Sequence, residues 1–271
     1  MAVPAPRRPL RAWRCPALTP APRRADSGVA ELTGLPAAVI AAHHLIAAGN
    51  TYPAATLLGR YLDALDIAWL PDDPILVDAF TLYATLRHDD RQLAAARYAE
   101  QASRRLHTEL HPRRLAAARV LGNLLHRRGH FDEAITVRKS ILDAHRQLDI
   151  PPSTAEAHSE LAASLHAAGH CGEAVRAADR AWLTWQNHPG DDTIGQPILR
   201  GYLRMLKSCG RFDDLADLLC EISLDPAAAA LALSMRSGDD TAYLDRHQRQ
   251  VCAGRESLHA SEPGRSQPHP R

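Results

Sequence analysis

Hydrophobic and polar positions along this chain recur with a period near 40 residues, anchored on five turn positions. Gly49, Asp90, Gly129, Gly169 and Gly210 stand 41, 39, 40 and 41 residues apart. Leucine lies four residues before each of them, as Leu45, Leu86, Leu125, Leu165 and Leu206. Eight and seven residues before the turn stand Ala41-Ala42, Leu82-Tyr83, Leu121-Gly122, Leu161-Ala162 and Tyr202-Leu203, and five after it come Ala54, Ala95, Ala134, Ala174 and Leu215. Self-similarity at this period predicts helical hairpins stacked into a solenoid, each burying its apolar face only against its neighbours.

Breakers mark the ends of the predicted helices. Pro36, Pro74 and Pro197 suit the first turn of the leading helix in units one, two and five, where a missing N–H costs nothing. Ser153 and Glu156 have capping-box spacing and predict the start of unit four. Asp132, Asp213 and Asp239 open second helices, where a carboxylate meets the positive end of the dipole. The units are expected at about 35–70, 74–110, 113–150, 153–190 and 196–223, with a shorter capping pair at 225–252. Flanking this 33–252 solenoid, residues 1–32 and 253–271 read as disordered, and the first 25 residues hold six arginines, six prolines and no acid.

The residue pattern chooses among repeat types of this length. HEAT and armadillo units also run near 40 residues, and the common tetratricopeptide unit has about 34. ARVLGNLLHRRGHFDEAI at 118–135 resembles the tetratricopeptide consensus, with Leu121-Gly122, Leu125, Gly129, Phe131 and Ala134 at matching positions. AHSELAASLHAAGHCGEAV at 157–175 repeats it with Leu161, Leu165, Gly169 and Ala174. Over about residues 35–222 the long units resemble those of kinesin light chains and of the C-terminal regions of actinobacterial STAND-type regulators. The resemblance implies an all-α, right-handed superhelical solenoid of antiparallel helix pairs, about five pairs plus the short C-terminal cap. It departs from the consensus at Arg138, where an aromatic is expected, and at Asp90, where glycine is.

Composition narrows the function. Hydrophobic content is 45% but aromatic content only 5%, so alanine and leucine carry the packing. A formal net charge of +1 gives no bulk electrostatic reason for binding nucleic acid or a membrane. No apolar run approaches the roughly 18–20 residues needed to cross a bilayer. Arginine dominates the cations, with lysine only at Lys139 and Lys207, which suits a high-GC, actinobacterial source. Five cysteines (Cys15, Cys171, Cys209, Cys220 and Cys252) form no C-x-x-C pair, which points to reduced thiols in a cytoplasmic protein. Neither a phosphate-binding glycine loop nor a G-x-S-x-G elbow is present, so no cofactor and no catalytic set is expected.

Fifteen histidines raise the question of a metal. His107/His111, His126/His130 and His166/His170 have i,i+4 spacing, but the last two pairs straddle a turn glycine. Equivalent positions of stacked repeats lie roughly 10 Å apart, too far for shared coordination. These histidines are therefore expected to be solvated, with no metal site. Trp69, Trp182 and Trp185 are expected to pack between neighbouring repeats.

In tetratricopeptide proteins the first helix of each pair lines a concave groove. Mapped by the turn residues, the resemblance puts His43, Arg87 and His88 on that face in the first two repeats. Repeat three adds Arg119, Asn123, His126 and Arg127, repeat four Glu156, Ser159 and His166, and repeat five Arg200, Arg204 and Lys207. Glu156 is the one acid in this set. Arg119 and Asn123 fall four apart, as do Arg200 and Arg204, so each pair shares a helix face. Arginine forks grip carboxylates, and asparagine can pair with the backbone of an extended ligand. The set loosely resembles the carboxylate clamp of chaperone-binding tetratricopeptide domains, with Glu160 and Gly201 where further polar or basic groups would be expected. The sequence thus points to a non-catalytic scaffold holding an acidic or C-terminal peptide segment of a protein partner. The alternatives are a stand-alone regulatory arm acting on a transcription factor or a specialised-metabolism pathway, and a merely solvated arginine face.

Overall fold

Residues 32–189 and 192–222 are described by a computed structural model, and among them helices take up almost the whole chain and no strand occurs. The ten α-helices are α1 Leu35–Ala47, α2 Thr51–Leu62, α3 Pro74–Leu86, α4 Arg91–Leu106, α5 Pro112–Arg127, α6 Phe131–Gln147, α7 Pro151–Ala167, α8 Cys171–Asn187, α9 Asp192–Ser208 and α10 Phe212–Ile222. Odd-numbered helices lead each hairpin. Every helix packs on the next, and first helices also meet across repeats, α1 with α3, α3 with α5 and α7 with α9. The capping pair at 225–252 with Asp239, the tail, and the leader apart from Leu32 lie outside the described residues.

Four of the five turns use the predicted glycine for its conformation. Gly49, Gly129, Gly169 and Gly210 have φ of 78°, 82°, 81° and 70°, the left-handed region that side chains with a Cβ disfavour. Asp90 solves its turn differently, with an ordinary φ of −68°. There the Asp89 carboxylate accepts from the Arg91 N–H at 3.1 Å and starts α4 without a left-handed residue.

Helix starts depart from expectation in two places. α7 begins at Pro151, with Ile150 before it and no side-chain cap, so Ser153 and Glu156 lie inside the helix and form no capping box. α9 begins at Asp192, a turn and a half before Pro197, which sits in the helix interior. Paired prolines at 151 and 152 already suit a first turn, so the capping motif was not needed. Pro74 does open α3, and the cap is Asp73, whose carboxylate accepts from Ile75 and Leu76 N–H at 2.7 and 3.1 Å. Asp132 and Asp213 stand in the first turns of α6 and α10 as expected.

Small residues set the closeness of the packing. Ala54, Ala95, Ala134 and Ala174, each five residues past a turn, have no exposed surface. A larger side chain there would hold the paired helices apart. The apolar core falls into two bodies that meet within repeat three. One gathers α1 to α5, with Ala134 of α6, around Phe80, Tyr83 and Leu124; the other gathers α6 to α10, with Ala118 of α5, around Ile141, Leu161 and Leu206. Trp182 is buried in the second body and stacks on Trp185 with ring centroids 5.2 Å apart. Trp69, by contrast, is 75% exposed.

Candidate functional site

The first-helix face at repeats three and four is more neutral than the sequence mapping suggested. Arg119 of α5 reaches one repeat onward to α7, with Nη2 2.7 Å from Glu156 and Nε 3.7 Å from Glu160. Asn123 accepts at 2.9 Å from Arg138, which rises from α6 into the gap between α5 and α7. Arg138 is only 5% exposed and also donates to Ser164 Oγ at 2.5 Å and to the Glu160 carbonyl. His126 closes the set, its Nδ1 3.1 Å from Ser164 Oγ. These groups bond to one another, leaving the buried Arg138 Nε without a hydrogen-bond partner among the described residues, so Arg119, Asn123 and His126 act first as an inter-repeat staple. The mapping missed this because it placed each residue on its own helix and not against the helix one period later.

Burial governs the charge states here. Desolvation pushes His126 down to about 4, and the Arg138 charge adds to the shift, so the ring is neutral near pH 7. Glu160 is raised by burial, against the pull of Arg119 and Arg138. Arg138 is lowered by burial, with Glu160 opposing.

Other arginines are also engaged between or within repeats. Arg87 is held by Asp89 and lies 3.9 Å from Asp63, with its guanidinium 5.3 Å from the centre of the Tyr83 ring. Arg97 pairs with Glu133 at 2.7 Å, Arg113 with Asp78 at 3.0 Å, and Arg105 grips Asp72 through two bonds of 2.6 Å. Arg127, Arg200, Arg204 and Lys207 differ. All four are exposed and form no ion pair with the described residues. Ser159 is half-buried at the contact between α7 and α9, its Oγ 4.0 Å from where a Cβ on Gly201 would stand.

A second concavity lies on the other side, between α6, α7 and α8. This cleft of about 380 Å³ is lined by Lys139, Arg146, Arg176 and Arg180 against the acids Asp143 and Glu173. His158 sits in its wall, with Nε2 3.3 Å from Arg146, and burial together with Arg146 and Arg180 lowers it to about 4. Its cations come from second helices, which the groove mapping did not sample.

The histidine expectation needs correction. His166 is 5% exposed and not solvated. Together with Cys171 and Cys209 it offers ligand atoms that all lie within 4.8 Å of one another. A helix spacing is expected only between equivalent positions, whereas these three occupy non-equivalent positions that converge where two turns stack. His107 and His111 stack ring on ring at 3.9 Å, and His111 Nδ1 accepts from the Arg113 N–H at 3.2 Å to cap α5.

No protein-family model and no curated protein matches the sequence. Solved structures match its fold. A putative kinesin light chain with TPR-like repeats from Podosopora anserina aligns over 75% of this chain and 97% of its own, with a TM-score of 0.59 and 15% identity. BtubC (BKLC) from P. vanneervenii aligns over 78% of this chain and 91% of its own, with a TM-score of 0.53 and 16% identity. The fold is a tetratricopeptide-like solenoid. A Rap protein complexed with Competence and Sporulation Factor shares it over 87% of this chain and 65% of the Rap chain, with a TM-score of 0.55 and 15% identity. Within this tetratricopeptide-like frame, α5, α7 and α9 are the first helices of their pairs, and the cations Arg200, Arg204 and Lys207 of α9 form no ion pair with the described residues.

Proposed function

We propose that this chain is a non-catalytic, cytoplasmic scaffold that binds an acidic segment of a protein partner along the first-helix face, chiefly through α9. The observation that carries this is the stripe Arg200, Arg204 and Lys207, exposed and in no ion pair with the described residues, in a chain whose neighbouring arginines are mostly matched to acids. Positions 200, 204 and 207 share one helix face. Arg127, at the end of α5, adds a further exposed cation. A preformed helical surface of this kind lets arginines steer and orient a carboxylate-bearing strand with little ordering cost. Ser159, half-buried beside α9, would contribute a neutral hydrogen bond, and Arg119, Asn123 and His126 would support the surface without gripping the ligand.

The test is a binding titration with a labelled acidic peptide panel and a neutral scrambled control. Arg200→Glu/Arg204→Glu is expected to keep the helical spectrum and weaken acidic-peptide binding by more than about tenfold, with wild-type affinity falling as salt rises. Equal binding by the wild type and the double reversal overturns the assignment to α9.

A second reading is a regulatory arm. It rests on the likeness to a Rap protein whose structure was solved with Competence and Sporulation Factor. Under this reading a captured partner is a transcription factor whose DNA binding changes when the chain is added; a partner without such an effect returns the reading to a plain scaffold.

A further inference from the structure

We propose that His166, Cys171 and Cys209 form a binding site for a thiophilic metal ion of the zinc type, joining repeats four and five. The three side chains bring one imidazole and two thiol sulfurs within 4.8 Å of one another. A tetrahedral zinc with bonds of about 2.3 Å to sulfur and about 2.0 Å to nitrogen needs donor separations of roughly 3.5–3.8 Å. Side-chain rotations of about an ångström close that difference without moving a helix.

The turns place the donors. His166 lies three residues before Gly169 at the end of α7, and Cys171 opens α8 two residues after it. Cys209 directly follows α9 and stands one residue before Gly210, in the next turn of the stack. The corresponding trio one repeat earlier is His126, Phe131 and Ala168, where His126 and Phe131 meet edge to face at 5.6 Å. Before that it is Arg87, Gln92 and Arg128, and first of all Ile46, Thr51 and Asp89. Only the junction of repeats four and five carries three soft or borderline donors. The same backbone geometry elsewhere is filled by packing or polar side chains.

Burial and donor type suit a held ion. His166 and Cys209 are 5% and 6% exposed, which shields two of the three donors from bulk solvent, and the half-exposed Cys171 gives an entry path for the ion and for one water. Cys171 is the first residue of α8, at the helix end whose backbone N–H groups have no partner within the helix. Two thiolates and an imidazole select zinc-like ions over calcium or magnesium, which prefer oxygen. Binding releases one proton from each thiol, and water completes the fourth position. An ion here clips two successive turns beside Lys207, at the basic end of the first-helix face.

The experiment uses the full chain, reduced with a phosphine, stripped with chelator and titrated with Co²⁺. The expected result is one equivalent bound with thiolate-to-cobalt charge-transfer absorption and the strong ligand-field bands of a four-coordinate site, both erased by Zn²⁺. Zinc should also raise the thermal midpoint. Cys171→Ser, at the half-exposed position, should fold as the wild type does and weaken Zn²⁺ by at least about tenfold, since disturbing even outer-shell groups costs that much. A Cys15→Ser/Cys220→Ser/Cys252→Ser variant should retain the full cobalt spectrum. The proposal is overturned if wild-type protein shows no thiolate–cobalt bands, if Cys171→Ser binds Zn²⁺ as tightly as wild type, or if the triple variant loses the bands. Oxidation to a Cys171–Cys209 disulfide with no zinc uptake by the reduced chain would equally overturn it.

Discussion

Arg138 stands where the repeat consensus wants an aromatic ring, and it fills the same gap with hydrogen bonds. Its neighbours Asn123, Ser164 and the Glu160 carbonyl come from both flanking first helices. The histidines follow the same logic of burial. His126 and His158 are lowered from 6.5 to about 4, and His107 and His145 shift in the same direction, all with burial as the first cause. A depressed histidine binds fewer protons folded than unfolded, so its contribution is complete above about pH 6.5 and declines as pH falls toward 4. Glu160 and Glu100, raised by burial, act in the opposite sense, and Asp72 and Asp89, held below the usual carboxylate range, matter only at more acidic pH. Thermal midpoints should therefore be flat from pH 8 to 7 and drop between pH 6.5 and 5, by the equivalent of about 1–2 kcal/mol. His158→Asn should flatten that slope; an unchanged slope would show that His158 is not its source. Gly195 offers a purely steric test. A Cβ there would lie 2.2 Å from two ring carbons of Trp185, so Gly195→Ala should destabilise by about 1–3 kcal/mol in urea unfolding and perturb tryptophan emission.

Individual helices show which local signals the fold uses. Asp73 accepts two backbone N–H groups at the start of α3, whereas Ser153 sits within α7 with no capping bond. Asp73→Ala should cost about 1 kcal/mol and Ser153→Ala close to nothing, measured by chemical denaturation of otherwise identical chains. Equal losses would mean that α7 frays back to Ser153 in solution. The capping-box spacing was legible in the sequence, but Pro151-Pro152 won the boundary by presetting φ one turn earlier. Pro197 misled for a related reason. Its position suits a helix start, yet the docking of Gly195 under Trp185 extends α9 one turn and more toward its N-terminus.

The molecule as a whole is a one-dimensional stack, in which each repeat is stabilised by its neighbours. Its two apolar bodies meet inside repeat three, and Arg138 of α6 ties α5 to α7 across that meeting. Hydrogen exchange should place a protection boundary near the Gly129 turn. Arg138→Ala leaves buried polar partners unsatisfied, so it should lower stability by about 2–4 kcal/mol and split one unfolding transition into two. A single transition with unchanged steepness would show that the apolar contacts alone couple the halves.

The 40-residue period, the turn glycines and the buried alanines were legible in the sequence because they are local and repeat. Periodic apolar residues can only be buried by stacking like on like, and φ near +80° calls for glycine wherever it falls. Which arginines pair with acids was decided by the tertiary structure alone. Arg119 and Arg200 occupy the same place in their repeats, but stacking sets Glu156 beside the first, whereas the second forms no ion pair with the described residues. His166, Cys171 and Cys209 were equally invisible as a group. No fixed spacing links them, and only the offset between successive turns brings them within reach of one ion.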